Sequence, residues 1–287
     1  MIRGRSVATI AVRNPTGNIV RRSLPIQGWS TGRATGFPMV RGVIALFETV
    51  VIGMRALALS AQIATPSDDE NEEPISGWAT GIMMAIAFLV AIVVFFLAPL
   101  FISRGVESVG TSAVVANVSE GLIRLGFFIG YIWLVGKMRD IDRVFGYHGA
   151  EHMIVSAQEK GLSLDVQAAR SQSTAHPRCG TAFLLTVVLV SILVFIVVPR
   201  EPMWLLVGSR IFLIPVIAAI SYEFIRFSGR HQSNFLVRNL NTPSMLLQKM
   251  TTRQPDDGQI EVAIEALQYA QELDSQEGLE SSCSGTH

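Results

Sequence analysis

Segment 147–152 concentrates metal-binding chemistry in a chain that has five histidines; it reads Y-H-G-A-E-H. On an α-helix, His148 and His152 are four residues apart and so lie about 40° apart around the axis and one turn along it. Both imidazoles can therefore reach one ion. Glu151 lies beside them, where its carboxylate can take a proton from the attacking water. This H-x-x-E-H spacing is that of the inverted zincin motif, with two histidine ligands and a glutamate general base.

A further histidine and a cysteine come together later in the chain. His176 and Cys179 are three residues apart, and the proline and glycine beside them predict a tight turn. Imidazole and thiolate are good zinc ligands, so these residues predict the remainder of a site begun by His148 and His152. Four protein ligands would make the site structural, whereas three would leave a position open for water. The alternative is a buried Cys179 at a helix start and a capping role for His176.

The H-x-x-E-H pattern has an alternative interpretation, a chance match without a metal site. Gly149 is a poor helix former, and a pattern with three fixed positions also arises by chance.

Glu159 would share the side of His148 on a continued helix, but at about 16 Å of rise it is too far away to bind the same ion. It therefore reads as a solvated glutamate at a helix end.

The composition indicates a membrane protein. The 287 residues are 49% hydrophobic and only 16% charged, and the mean hydropathy is +0.41. The formal net charge is zero, so no general basic excess favours nucleic acid as a partner. Two cysteines are too few for a disulfide framework.

Four stretches are long and apolar enough to span a bilayer, which needs about 20 apolar residues. They cover about 81–102, 113–134, 181–198 and 204–225. The short loops after the first and third stretches hold one arginine each, and most other lysines and arginines lie in the remaining segments. The positive-inside rule then places both termini and the H-x-x-E-H segment on the cytoplasmic side.

The apolar stretch 41–64 is predicted to be an interfacial or re-entrant helix. A spanning helix there would reverse every later segment and place the arginine-rich loops outside. Glu48 and Arg55 are seven residues apart and would form one polar stripe of an interfacial helix.

Two of the predicted spans contain paired charges. Glu120 precedes Arg124 by four residues, and Glu223 precedes Arg226 by three. Both spacings favour an ion pair on one helix face, inside the bundle rather than facing lipid. As an alternative, either carboxylate could supply a third ligand to the metal site.

The predicted fold is mainly α, a polytopic membrane protein with about four transmembrane helices. Residues 1–40 form a cytoplasmic region in which a β-hairpin is predicted from alternating residues around a turn at 14–18. Residues 41–270 form the membrane domain, with the H-x-x-E-H loop at 137–180 and a C-terminal helix over 259–273. A disordered tail is expected over 271–287.

The chain resembles the YqhQ-like family of bacterial membrane proteins, a domain of unknown function described as a predicted metal-dependent enzyme. The resemblance covers roughly residues 1–270. It rests on these blocks: 41–48, 120–124, 140–145, 147–152, 176–181, 221–223 and 246–255. The resemblance implies a metal site and a location in the bacterial inner membrane, but no substrate.

Three functions follow as hypotheses. The first is a zinc hydrolase acting on peptides, with His148, His152, His176 and Cys179 as candidate ligands of zinc or another divalent metal and Glu151 as the general base. The second is a membrane scaffold or assembly factor with a structural metal site. The third, less favoured, is a transporter that uses the charges within its spans. The expected partners are the lipid bilayer and a protein or peptide, with no nucleic acid.

Overall fold

The computed structural model describes residues 1–4, 7–26, 38–65, 77–107, 110–176, 179, 181–231 and 234–284. It is mainly helical, as predicted, with a small N-terminal sheet. The strands are β1 (Ile2–Arg3), β2 (Val7–Arg13) and β3 (Ile19–Pro25). The helices are α1 (Pro38–Ala64), α2 (Gly77–Ile92), a π-helical turn (Val93–Leu97), α3 (Ala98–Glu107), α4 (Ala113–Val135), α5 (Arg139–Glu159), α6 (Val166–Arg170), α7 (Thr181–Ile196), α8 (Met203–Phe212), α9 (Ile214–Arg230), α10 (Phe235–Thr251) and α11 (Asp257–Ser284).

The chain forms two compact units. Unit 1 comprises Met1–Ser67, Gly136–Cys179 and Met245–His287, and unit 2 comprises Asp68–Val135 and Gly180–Ser244. The sheet, the H-x-x-E-H helix and the C-terminal helix thus belong to unit 1, while most of the apolar helices belong to unit 2.

Long apolar helices cover the first two predicted spans, over Gly81–Gly105 and Ala113–Val135. The third predicted span is a shorter apolar helix, Phe183–Ile196. The fourth is not one straight helix: α8 and α9 meet at Leu213 with a bend of 42°. α1 is unbroken, and its length and composition also suit a span, so its predicted place at the membrane interface stays a prediction.

The predicted hairpin is present, joined by a strand that the sequence pattern did not reveal. β2 is the middle strand of an antiparallel sheet and pairs with both β1 and β3. Because side chains alternate across a strand, Ile10 and Val12 pack against Ala56 of α1, while the hydroxyl of Thr9 donates to the carbonyl of Ala266 in α11 at 2.8 Å. The two faces of the sheet therefore meet different helices.

α5 and α11 share the main apolar core of unit 1. Met153 and Ile154 of α5 pack in one cluster with Ile260 and Leu267 of α11, and all four are buried. Asp256 caps α11, since its carboxylate accepts the backbone N–H of Gln259 at 2.7 Å. The helix extends to Ser284, beyond the predicted end at 273; the disorder expected of the tail stays a prediction.

Candidate metal centre

α5 carries both histidines of the motif on one face. His148 is partly buried and His152 is buried, and their ring centroids lie 4.3 Å apart. The helix is continuous from Arg139 to Glu159, so the expected spacing of one turn holds. The two imidazoles therefore face the same small volume.

Backbone carbonyls fix the orientation of both rings. Nδ1 of His148 lies 2.9 Å from the carbonyl oxygen of Thr251, and Nδ1 of His152 lies 2.7 Å from that of Thr174. A carbonyl oxygen only accepts hydrogen bonds, so each Nδ1 carries the hydrogen and donates it. Each Nε2 is then the ring nitrogen left to bind a metal, as is usual for metal-binding histidines; an ion would replace the hydrogen bond that Nε2 of His148 makes with Cys179.

Cys179 completes a close group with the two histidines. Its side chain is buried, and its Sγ lies 3.1 Å from Nε2 of His148. One ligand atom from each of His148, His152 and Cys179 lies within 4.8 Å of the others. Ligands of a tetrahedral zinc ion are about 3.3–3.8 Å apart, given bond lengths of about 2.0 Å to nitrogen and 2.3 Å to sulfur. The group therefore has the size and donor types of a zinc site.

The pKa values of Cys179 and His148 favour a pair of thiolate and imidazolium. Burial raises the pKa of the Cys179 thiol, but hydrogen bonds and positive charge from His148 and His152 outweigh burial and lower it to about 5. Burial lowers the pKa of His148, but the hydrogen bond and the negative charge of Cys179 outweigh that effect and raise it. In the metal-free protein Cys179 is thus a thiolate at neutral pH, the form that binds metals.

His176 lies next to this group but outside it. Its ring centroid is 5.9 Å from that of His152, and its Nε2 lies 3.2 Å from a carboxylate oxygen of Glu159. Glu159 is therefore not merely the solvated residue that its position at a helix end predicted. The structure brings together three of the four predicted ligands and leaves the fourth nearby.

Glu151 has the most open position of the predicted site residues. Its side chain is 37% exposed and lies 3.5 Å from the amino group of Met1. The residue is close enough to His148 for its charge to favour the imidazolium. Its side chain is outside the close group of ligand atoms, as expected of a residue that does not itself bind the ion.

Gly149 allows a backbone segment to approach α5. A Cβ on Gly149 would lie 2.2 Å from the carbonyl oxygen of Arg253, and the N–H of Arg253 donates to the carbonyl of Phe145 at 2.9 Å. This contact holds Thr251 where its carbonyl meets His148. The glycine that weakened the sequence-based prediction of a helix is thus required by the packing around the site.

Gln248 holds the backbone at His176, three residues before Cys179. Its amide oxygen accepts the backbone N–H of His176 at 2.8 Å, and its amide nitrogen donates to the carbonyl of His176 at 3.0 Å. Sequence reasoning assigned no role to Gln248, Thr251 or Thr174, since contacts to the backbone leave no recognisable spacing.

Two other sequence predictions concern residues outside this group of ligand atoms. The turn assigned to Pro177 and Gly180 lies outside the described residues. Glu120, considered as an additional ligand, instead lies in unit 2, where it pairs with Arg124 as its spacing predicted.

Fold and site together define a mainly helical membrane protein with a buried group of two histidines and a cysteine in its sheet-containing unit. The chain belongs to a family of proteins of unknown function, DUF1385, whose model matches residues 37–273. It is 32% identical over 280 residues to an uncharacterized protein of Bacillus subtilis (strain 168), YqhQ, and the match covers 93% of this chain and 87% of that protein. No solved structure shows significant similarity.

Proposed function

We propose that this protein is a membrane-bound hydrolase that depends on zinc or another divalent metal held by His148, His152 and Cys179. The observation that carries the proposal is the orientation of the two imidazoles. Their Nδ1 atoms donate to backbone carbonyls, so both Nε2 atoms remain to bind an ion beside Cys179, in place of the hydrogen bond between His148 and the sulfur. A group of three protein ligands fits a catalytic zinc site, in which one position stays open.

Glu151 is the proposed general base. A bound zinc ion would supply Lewis acidity and lower the pKa of a water molecule to about 7. Glu151 follows His148 by one turn of α5 and precedes His152 directly, so it lies at the edge of the ligand group. Its exposed carboxylate can exchange the proton with solvent after taking it from water.

The substrate class is inferred by analogy with inverted zincins, which cleave peptides. The distribution of lysine and arginine supports a site on the cytoplasmic face of a bacterial inner membrane, with both termini on that side. The proposed partners are the bilayer and a peptide or protein, and the zero net charge gives no support for nucleic acid.

A structural metal site is the second candidate. The observation that favours it is the position of His176, with its ring 5.9 Å from that of His152. A shift of this side chain would supply a fourth ligand and close the site. The metal would then join α5 to the loop before α7, and the protein would act as a scaffold or assembly factor.

Metal content and hydrolysis by three variants of the purified protein test these proposals. We expect about one zinc per chain in the wild type, and its loss when His148 and His152 are both replaced by alanine. His231→Ala is the matched control, because His231 is exposed and its ring bonds to the carbonyl of Phe227, four residues earlier. Glu151→Gln should keep the metal and lose hydrolysis of a peptide library.

The results separate the candidates. Equal metal in the wild type and the double-histidine variant would contradict both proposals. A metal-loaded wild type with the same peptide hydrolysis as Glu151→Gln would contradict the catalytic role and leave the structural one.

A further inference from the structure

Unit 2 contains a buried cluster of charges that the proposed hydrolase does not use. We call it the arginine cluster; it consists of Arg124, Arg200 and Arg210 around the carboxylate of Glu120. The four residues are between 0% and 3% exposed. Arg124 lies at the middle of α4, one of the helices suited to span a membrane. Charges at such a depth are costly, so they mark functional sites more often than other intramembrane residues do.

Glu120 receives hydrogen bonds from all three guanidinium groups. Its Oε1 accepts from Arg124 Nη2 at 2.7 Å and from Arg210 Nε at 2.9 Å. Its Oε2 accepts from Arg210 Nη2 at 2.7 Å and from Arg200 Nη1 at 3.2 Å. The three guanidinium groups therefore converge on one small region that already holds a carboxylate.

The charges of the described residues in this cluster do not balance. Three arginines face Glu120 and one further carboxylate, that of Glu107, which accepts from Arg200 Nε at 3.0 Å and is 30% exposed. Each arginine bonds to a carboxylate, but three positive charges meet two negative ones, so these five residues carry a net charge of +1. Buried net charge is costly, so one more anion would stabilise the cluster.

Each guanidinium also has a nitrogen that bonds to a neutral hydroxyl. Arg124 Nη1 donates to Ser191 at 3.2 Å, Arg200 Nη2 to Ser103 at 3.1 Å, and Arg210 Nη1 to Ser209 at 3.1 Å. A terminal guanidinium nitrogen carries two hydrogens, so one hydroxyl partner leaves it donor capacity. Planar guanidinium forks with spare donors match the oxygens of phosphate.

The backbone around the cluster is irregular at two places. The π-helical turn Val93–Leu97 includes Phe95, whose carbonyl accepts Arg124 Nε at 2.9 Å. The bend of 42° between α8 and α9 falls at Leu213, three residues after Arg210. π-helical turns occur often at functional sites, and broken helices frequently form ligand sites within membranes.

We propose that the arginine cluster binds a phosphate-type oxyanion, which neutralises its excess charge and takes the spare guanidinium donors beside Glu120. The oxyanion belongs either to a lipid headgroup or to dissolved phosphate. All residues of this site belong to unit 2, whereas those of the metal centre belong to unit 1. Glu120 competes with the ligand, since its carboxylate occupies the guanidinium groups that would bind an external anion.

Thermal stability of the full chain tests the proposal in two arms. One arm compares nanodiscs of phosphatidylglycerol with nanodiscs of a phosphate-free diglycosyl diacylglycerol, and the other adds inorganic phosphate to detergent-purified protein, with chloride at equal ionic strength as the reference. We expect one of the two phosphate sources to raise the wild-type Tm. A rise in the lipid arm alone assigns a headgroup, and a rise with inorganic phosphate assigns the dissolved anion.

Three variants separate a binding site from a purely structural cluster. Arg200→Gln should weaken the apparent affinity for the oxyanion, read from Tm against its concentration, by about tenfold or more. This is the usual loss for a charged hydrogen bond. Glu120→Gln should lower the Tm of the ligand-free protein. It should also enlarge the rise in Tm that the oxyanion causes, because it removes the competing carboxylate. Arg104→Gln is the control, since Arg104 belongs to unit 2 but pairs with the exposed Glu201.

The proposal is overturned if neither source raises the wild-type Tm. It is also overturned if Arg200→Gln responds as strongly as the wild type and the control. The wild-type and Arg200→Gln measurements decide the matter even if Glu120→Gln does not fold, because Arg200 lies between helices rather than within a span.

Discussion

Among single residues, Cys179 shows how its surroundings change the chemistry of a side chain. Two imidazoles on α5 face its sulfur, and their hydrogen bonds and charge outweigh the effect of burial on its pKa. The carbonyls of Thr251 and Thr174 keep those imidazoles in place. A thiolate results where an isolated buried cysteine would stay protonated.

The thiolate predicts a pH dependence of the metal-free protein. The ultraviolet absorbance of the thiolate, taken as wild type minus Cys179→Ser, should titrate with a midpoint near pH 5. Replacement of His148 and His152 by alanine should move the midpoint to at least the ordinary thiol value of 9.0. A wild-type midpoint already at that ordinary value would show that the histidines do not stabilise the thiolate.

The sign of the matching stability change follows from the lowered pKa. The unfolded thiol, with an ordinary pKa of 9.0, binds a proton over a pH range in which the folded thiolate does not. The stability from Cys179 is thus complete above about pH 9 and is lost as the pH falls towards 5. The raised pKa of His148 has the opposite effect. The stability that His148 contributes is complete below the ordinary histidine pKa of 6.5 and is lost as the pH rises through the pKa of His148 in the folded protein.

Among the helices, α5 is the element that builds the metal centre. It presents two ligands from one face and, through Gly149, accepts the backbone of Arg253 at close range. By helix propensity alone, alanine would be more favourable than glycine at this position. Packing decides here, because only a residue without Cβ leaves room for that carbonyl.

Gly149→Ala should therefore disturb the site without touching a ligand. The added Cβ forces the segment around Arg253 away from α5, so the Thr251 carbonyl loses His148; we expect about 1–3 kcal/mol of destabilisation and weaker zinc binding. Gly53→Ala is the control, because no atom outside its own helix lies within 4 Å of the added Cβ. Denaturant unfolding and zinc titration measure both effects; equal results for the two variants would contradict this role of Gly149.

At the scale of the whole molecule, the arrangement of charge along the chain predicts its orientation. Lysines and arginines are concentrated outside the two short loops, which favours cytoplasmic termini. α1 is the element on which this prediction depends, since its length and composition also suit a span. One additional span would place the two termini on opposite sides.

Reporter fusions at each terminus test this orientation. A fluorescent protein should fold at both ends, and alkaline phosphatase, which is active only outside, should be inactive at both. A third fusion within the loop after α3 serves as the positive control for an outward position. An active phosphatase at the N-terminus together with a fluorescent C-terminus would instead make α1 a spanning helix.

The class of protein and two residues of the candidate site can be predicted from local sequence patterns. Apolar stretches of bilayer length predict membrane helices, alternation around a turn predicts the hairpin, and H-x-x-E-H spacing predicts two ligands on one helix face. These are local properties, in which the residue type and its neighbours along the chain carry the information.

Contacts between distant residues could not be predicted from these local patterns and are seen in the fold. The fold brought Cys179 to His148, left His176 beside Glu159 and gathered Arg200 and Arg210 around Glu120, although the sequence predicted only Arg124 as its partner. It also broke the fourth predicted span at Leu213. These outcomes depend on how helices pack and on which buried charges need partners, and both are set by residues far apart in the chain.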